Sequence, residues 1–320
     1  MGNRYCIVLN PFARTGNAGE LRTIVETAFT GRDTAIHSPE SLEAARSIIR
    51  EAIADGVSHV VLAGGDGTVN GVLDLLVHAP VTLGLIPCGT ANDLGHQIGI
   101  PLDPRAACEL ILRGEQRLLD VVAVNDRFYV TGGALGIATG IAAGVNRWKG
   151  QPGLRRSLMR ALGPWAYLVY SGLYLMTTPK LWYDVTLTSR DGPQGRRRVL
   201  ALLINNQAVI GKTFKAAPYA RQDDGHLEVC MFDWQGRFRG TYLVTLLAAN
   251  GRHVGHHGIT IWRTQGLTIT SEEPVAFMGD GEKLAESTTL QIAVKPQALR
   301  IMGPLDLRRT RHLTMPLQMP

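Results

Sequence analysis

Cysteine is scarce and scattered. The 320 residues hold four, Cys6, Cys88, Cys108 and Cys230, with no Cys-x-x-Cys pair. That pattern excludes a disulfide framework and a cysteine zinc site and fits a reducing cytosol. Long apolar runs are missing too. The longest, Ala166–Met176, falls short of the about 20 residues that a bilayer-spanning helix needs. The first residues lack the succession of basic, apolar and small residues that marks a signal peptide, so none is expected. There is no GxxxxGK[ST] loop, and no GxGxxG follows a strand, so two common nucleotide-binding signatures are absent. Acidic residues are the minority charge, 27 against 33 basic, for a net +6. The excess favours anionic partners: nucleic acid, nucleotide phosphates or an acidic membrane surface. Nucleic acid drops out because the basic residues are not interleaved with aromatics on one strand face.

What is present is an ordinary globular composition, 45% apolar and 19% charged, long enough for about two domains. The 36 glycines and 16 prolines cluster, and the clusters carry the chemistry. Over the first hundred residues, short apolar runs alternate with helical spacing. Strands are expected at Tyr5–Leu9, Thr34–His37, His59–Leu62 and Thr82–Ile86. Helices are expected at Asn17–Phe29, after a Ser38 or Ser41 cap, at Thr68–Val77 and from about Ala91. This alternation predicts a mainly parallel sheet covered on both faces. After about Val121 the grammar changes to strands separated by turn signals, with a hairpin turn at Asn125-Asp126. Leu154–Met176 is one long helical stretch that Gly163-Pro164 should kink or divide, and Tyr242–Ala249 is a further helix. The expected fold is thus an α/β nucleotide-binding domain over 1–124, with a segment of about 300–320 packing back on it. An antiparallel β-rich, sandwich-like domain over 125–299 follows.

The most specific stretch is Val60–Gly71, VVLAGGDGTVNG. A buried strand runs into Gly64-Gly65-Asp66-Gly67-Thr68 and then a helix. Glycines let backbone N–H groups approach a phosphate, the helix start adds its dipole, and Thr68 and Asn70 offer hydrogen bonds. An aspartate among phosphate oxygens repels them unless a cation intervenes, so Asp66 points to a Mg²⁺-containing phosphate site or to acid–base chemistry. The plain alternative is a tight strand–helix turn. A second element repeats the design: Pro87-Cys88-Gly89-Thr90-Ala91-Asn92-Asp93, in which Asn92 or Asp93 alternatively caps a helix. A third, Asn10-Pro11-x-x-Arg14-Thr15-Gly16-Asn17, follows the first strand and offers Arg14 to a terminal phosphate. Asp280-Gly281-Glu282 sets two carboxylates about a glycine, and Asp223-Asp224-Gly225 is a second acidic turn. Each by itself reads as a turn.

Together these pieces resemble the diacylglycerol kinase catalytic-domain family, in particular its bacterial lipid kinase branch, related to sphingosine and ceramide kinases. The matching residues are Asn10-Pro11, Gly64–Asn70, Pro87-x-Gly89-Thr90-Ala91-Asn92-Asp93-Leu94, Gly133-x-x-Gly136, Pro218-x-Ala220, Asp223-Asp224-Gly225-x-Leu227 and Asp280-Gly281-Glu282. GGDGT alone is shared with NAD kinases; the full ordered set is specific. The resemblance implies an ATP-dependent lipid kinase of two domains with the nucleotide between them. Asn10, Arg14, Gly64, Gly65, Asp66, Gly67, Thr68, Val69, Asn70, Gly71, Gly89, Thr90 and Asn92 would bind ATP. Asp280 would be the general base, with Glu282 and Asp66 completing the catalytic set. Asp224, with carbonyls at Arg221 and His226, would hold a structural Mg²⁺. A kinase of a soluble acceptor such as NAD and a non-catalytic nucleotide- or lipid-binding regulator are the alternatives.

Many relatives carry glycines where this chain has Gly211-Lys212-Thr213-Phe214-Lys215. Lys212 and Lys215 either meet an anionic group or form a solvated loop. His253, His256 and His257 cluster without a spaced carboxylate or cysteine, so zinc is not expected. Peripheral contact of a cytoplasmic protein with an anionic membrane is expected. Leu154–Met176, with Arg155, Arg156, Arg160, Trp165, Tyr167, Tyr170 and Tyr174, is either the docking element, assisted by Arg196-Arg197-Arg198 and Arg308-Arg309-x-Arg311, or an interdomain core helix.

Overall fold

In a computed structural model, the structure describes residues 2–11, 18–150, 165–209, 215–248 and 251–304. Arg14, Arg155, Arg156, Arg160, Gly163-Pro164, Lys212, Arg308, Arg309 and Arg311 lie outside the described residues. The described chain divides into two compact units. One takes in the chain to Val121, Gln222–Gly225 and the chain from Lys295; the other takes in Val122–Arg221 and His226–Val294.

The first unit is α/β. Its elements are β1 (Arg4–Leu9), α1 (Ala18–Ala28), β2 (Asp33–His37), α2 (Leu42–Ala54), β3 (His59–Gly64), α3 (Asp66–Leu76), β4 (Thr82–Pro87), α4 (Asp93–Ile98) and α5 (Pro104–Arg113). β1 pairs in parallel with β2 and β3, and β3 with β4. The order is therefore β2-β1-β3-β4, extended by the end of a later strand through Ile301 beside Leu83. β3 and β4 are buried along their whole length, which is why their residues read as unbroken apolar runs rather than alternating ones. Ser41, not Ser38, caps α2 by accepting the Ala44 N–H. Helix α5 was not expected, yet its signals are complete: Asp103 accepts from the Ala106 N–H, Pro104 opens the helix and left-handed Gly114 closes it.

The second unit begins within β5 (Gln116–Val124). It continues through β6 (Arg127–Tyr129), β7 (Gly132–Gly136), α6 (Ile137–Gly150), α7 (Trp165–Thr177), β8 (Tyr183–Ser189), β9 (Gly195–Asn205), β10 (Leu227–Asp233), α8 (Arg237–Ala248), β11 (Ile259–Thr264), β12 (Gly266–Gly279) and β13 (Glu282–Met302), whose end from Lys295 belongs to the first unit. Its strands are antiparallel. β9 and β12 are bridged twice, by β7 at one end of each and by β8 at the other, which closes a sandwich-like ring. Tyr129, Leu135, Leu202, Ile204, Phe277 and Ile292 are among the buried side chains of its core. A separate apolar cluster joins α6, α7 and α8 to the other side of β9 and β10 through Ile141, Val145, Leu175, Leu203, Phe232 and Leu243. Glycines at 140 and 144 make the α6–α7 contact: a β-carbon at Gly140 would collide with the Tyr174 hydroxyl, and one at Gly144 with that of Tyr170.

All four cysteines are free and buried, at 1% exposure or less. Burial pushes the Cys6 thiol up to about 11 and Cys108 up to about 12 and raises Cys230 further.

Candidate active site

In the first unit the two glycine-rich turns touch. β3 ends at Gly64, Gly65 caps α3, and Asp66 is the first helical residue, so the helix starts two residues earlier than expected. The Cys88 N–H donates to the Gly64 carbonyl at 2.9 Å. Gly89 and Gly65 meet with no room for a β-carbon on either. Asn92 takes a left-handed φ of 53° just ahead of α4. Its amide does not cap the helix. It folds back, accepting from the Gly89 N–H at 2.8 Å and donating to the Gly89 carbonyl at 3.0 Å. Asp66 Oδ1 accepts the Leu94 N–H at 3.3 Å, tying the start of α3 to α4. Asn10 donates through Nδ2 to Thr68 Oγ1 at 2.9 Å.

Asn10, Gly64, Gly65, Asp66, Gly67, Thr68, Gly89, Thr90 and Asn92 thus gather at the strand ends that open α3 and α4. Three of the expected nucleotide residues sit deeper. Val69 is a core side chain, Asn70 is buried, and Gly71 packs on Leu42 of α2.

Also in the first unit, Asp120 is fully buried and organises the second acidic turn. Its carboxylate accepts the Gly225 N–H at 2.6 Å and the Gln297 N–H at 2.8 Å, and its own N–H donates to the Gln222 carbonyl at 2.7 Å. This clamp fixes Asp223-Asp224-Gly225, which Arg221 and His226 flank in sequence. Among the described residues no group of three His, Cys, Asp or Glu side chains is set to hold a metal. One carboxylate supplemented by main-chain carbonyls is an all-oxygen set, which suits a hard cation.

In the second unit, Asp280 stands in a left-handed turn, φ 51°, followed by Gly281 at φ 81°. Its Oδ2 accepts the Val130 N–H at 3.0 Å. Its Oδ1 accepts the Thr131 N–H at 2.8 Å and the Thr131 hydroxyl at 2.6 Å. The Asp280 N–H donates to the Gly132 carbonyl at 3.0 Å. From the other side, Asn206 Nδ2 donates to the Val130 carbonyl and its N–H to the Thr131 carbonyl, each at 2.9 Å. The strip 130–132 is therefore pinned through both its donors and its acceptors. Burial, with the Asp280 charge adding, holds the Tyr129 phenol well above its ordinary range; its hydroxyl donates to the Ile204 carbonyl at 2.8 Å. Desolvation first and Asp280 second push the Glu282 carboxyl up, against the pull of Arg127.

Asp120, Thr131 and Asn206 escaped the sequence reading. Asp120 left a signal, a lone acid within the apolar strand segment LLDVVAV; Thr131 left none. The three histidines go separate ways. His253 stacks on Phe232, His256 meets the edge of Tyr242, and His257 lies 3.2 Å from Gln235.

The diacylglycerol kinase catalytic domain model matches residues 4–124, and the model of the YegS C-terminal, NAD kinase β-sandwich-like domain matches residues 137–303. The chain belongs to the diacylglycerol kinase catalytic-domain family and is a lipid kinase. Within that family its second half carries the YegS-type domain. It is 30% identical over 294 residues to a protein of Pseudomonas aeruginosa (strain UCBPP-PA14) named "Probable lipid kinase YegS-like", covering 91% of each chain. It is 24% identical over 289 residues to a diacylglycerol kinase of Staphylococcus carnosus (strain TM300), covering 90% of each. The fold matches a crystal structure of a diacylglycerol kinase from Bacillus anthracis str. Sterne with TM-score 0.69 and 19% identity, over 95% of this chain and 98% of that one.

Proposed function

We propose that this lipid kinase transfers the γ-phosphoryl group of ATP to the hydroxyl of a diacylglycerol-like lipid. The observation that carries the reading is the Asp280 carboxylate, held in one orientation by three donors at the two-residue Asp-Gly turn between β12 and β13.

In this reading Asp280 accepts the proton of the lipid hydroxyl as its oxygen attacks the γ-phosphorus. The bond from that phosphorus to the bridging oxygen breaks, ADP leaves, and the proton passes from Asp280 to solvent. Such transfers depend on positioning and charge more than on covalent chemistry. Thr131 and Val130 orient the base, and Glu282 keeps a second carboxyl beside it. The paired turns around Gly65 and Gly89 bring main-chain N–H groups and the start of α3 to the ATP phosphates, with Asn10 holding Thr68 in place. Mg²⁺ held near Asp66 would neutralise phosphate charge, and a separate, structural Mg²⁺ would be held at the Asp224 loop, with Arg221 and His226 giving carbonyls. Peripheral contact with the bilayer follows from a substrate that does not leave it.

The test is radiolabelled ATP supplied with a total lipid extract and, separately, with NAD, with the product identified by mass spectrometry. Label on a lipid, lost in Asp280→Asn, is expected. Label on NAD alone, or on neither, overturns the proposal.

A further inference from the structure

We propose that the α7–α8 face of the second unit is the surface by which the protein lies on an anionic bilayer; this rests on the lipid-kinase reading for the source of the partner. The first observation is an exposed apolar stripe. On α7, Val169, Leu173 and Met176 recur at helical spacing and are 51%, 46% and 54% exposed. The opposite side of the same helix is spent inward: Tyr170 and Tyr174 rest on the α6 glycines, and Leu175 is buried in the helical cluster. On α8, Phe238 is 84% exposed and Tyr242, one turn on, 46%. The two stripes adjoin. Arg237, in the first turn of α8, donates to the Leu175 carbonyl and, at 2.9 Å, to the Thr178 carbonyl. Phe238 and Met176, the next residues along, are thereby brought to the same junction.

The second observation is charge. Residues 127–183 and 234–271, which contain α6, α7 and α8, include no aspartate or glutamate at all, while the chain has 27 elsewhere. They carry eleven lysines and arginines. Arg147 of α6 and Arg239 of α8 are exposed, and the Arg239 guanidinium lies 5.8 Å from the Tyr242 ring centre. The arginine triplet named in the sequence behaves differently: Arg196 pairs with Glu272 and Arg198 with Asp184. Lys180 likewise pairs with Glu273, while Arg147 and Arg239 add exposed positive charge to the helices beside the apolar stripe.

An apolar stripe of Phe, Tyr, Leu, Met and Val rimmed by arginine is the pattern of an interfacial element. Aromatic and aliphatic groups enter the headgroup region to a depth of about 5–10 Å, and arginines meet anionic lipid. A protein partner of opposite charge would have to supply the acids these segments lack. Anionic headgroups supply them at the place where a lipid kinase finds its substrate. Among the described residues no helix is long and apolar enough to cross the membrane, and this geometry needs none, because the helices lie along the surface.

The experiment is flotation of the full chain, without nucleotide, on vesicles of phosphatidylcholine alone and of phosphatidylcholine with an equal part of phosphatidylglycerol. Two variants change only exposed groups: Leu173→Ser/Phe238→Ser and Arg147→Glu/Arg239→Glu. The single Phe238→Ser variant backs up the first, and circular dichroism reports the fold of each. The apolar variant should lose on the order of tenfold in binding to the anionic vesicles at every salt concentration. The charge variant should lose at least about tenfold on anionic vesicles, together with the salt dependence of binding. Phosphorylation of vesicle lipid should fall in step, while phosphorylation of lipid dispersed in detergent micelles stays at the wild-type rate. Wild-type binding by both variants overturns the surface. So does a wild-type dimer that the apolar variant makes monomeric with vesicle binding intact, which would assign the face to a second copy. Wild-type protein that binds the vesicles as described yet phosphorylates no lipid would instead overturn the proposed reaction and leave the surface standing.

Discussion

Gly65 and Gly89 touch backbone to backbone: a β-carbon on Gly65 would fall 2.8 Å from the Gly89 Cα. A β-carbon on Gly89 would fall 2.5 Å from the Gly65 Cα and 2.7 Å from Asn92 Oδ1, so a methyl group there must shift backbone as well as the Asn92 amide. Gly89→Ala should destabilise the fold by about 1–3 kcal/mol, the usual cost of overpacking, and raise the KM for ATP more than it lowers turnover on a lipid substrate. Chemical denaturation and ATP titration check this. Unchanged values for both would mean the two turns are looser than described.

Asp280→Asn is expected to lower turnover by on the order of 10²–10⁴. The geometry adds a stability effect. An asparagine that keeps its oxygen toward the two Thr131 donors turns its NH₂ toward the Val130 N–H, donor against donor. An unmade buried hydrogen bond costs about 1–3 kcal/mol, so the variant should also melt lower. Thr131→Val removes only the hydroxyl donor and should reduce kcat while leaving the KM for ATP in place. Steady-state kinetics separates the two.

Asp120→Asn should weaken the loop it clamps. Both carboxylate oxygens accept main-chain N–H groups, from Gly225 and Gln297, and an amide can satisfy one of them. The expected loss is about 1–3 kcal/mol in urea. If the Asp224 loop holds Mg²⁺, EDTA should lower the melting temperature of the wild type and leave that of Asp224→Ala unchanged, because a ligand bound only by the folded chain stabilises it by mass action.

Acid should destabilise the protein through its buried histidines. Burial lowers the pKa of His59, which stacks on Tyr5 at 4.8 Å. Burial also lowers that of His253, with a hydrogen bond at Ala216 opposing and His256 adding to the shift. A histidine depressed in the folded state stays neutral there while the unfolded chain takes up a proton below about pH 6.5. Stability is therefore full above that value and falls as pH drops through it, by at most about 1.4 kcal/mol per pH unit for each group. Melting temperatures between pH 7.5 and 5.5 test this; His253→Phe should flatten the slope.

The parallel half of the fold was legible because a strand buried on both faces must be apolar throughout, and β3 and β4 each run into a glycine turn that marks the end. Gly65, Asp66, Gly89 and Asn92 were legible for the same reason. Helix α6 was not, since Gly140 and Gly144 weaken any helical reading, and their purpose appears only when Tyr174 and Tyr170 lie on them. The length of β12 was hidden by the charged stretch Ser271–Pro274, across which its register with β13 shifts. Thr131 was invisible because its role depends on a residue 149 positions away.

The buried cysteines make the molecule its own clock for opening. A thiol reagent attacks the thiolate, and the folded chain holds Cys6, Cys108 and Cys230 protonated and out of reach. Labelling must then wait for local unfolding. Cys6, Cys88 and Cys108 belong to the first unit and Cys230 to the second, so mass spectrometry of the tagged peptides would time each unit separately. With ATP added, a slower tag on Cys88, the residue just before Gly89, beside an unchanged rate at Cys230 would report nucleotide binding without any assay of catalysis.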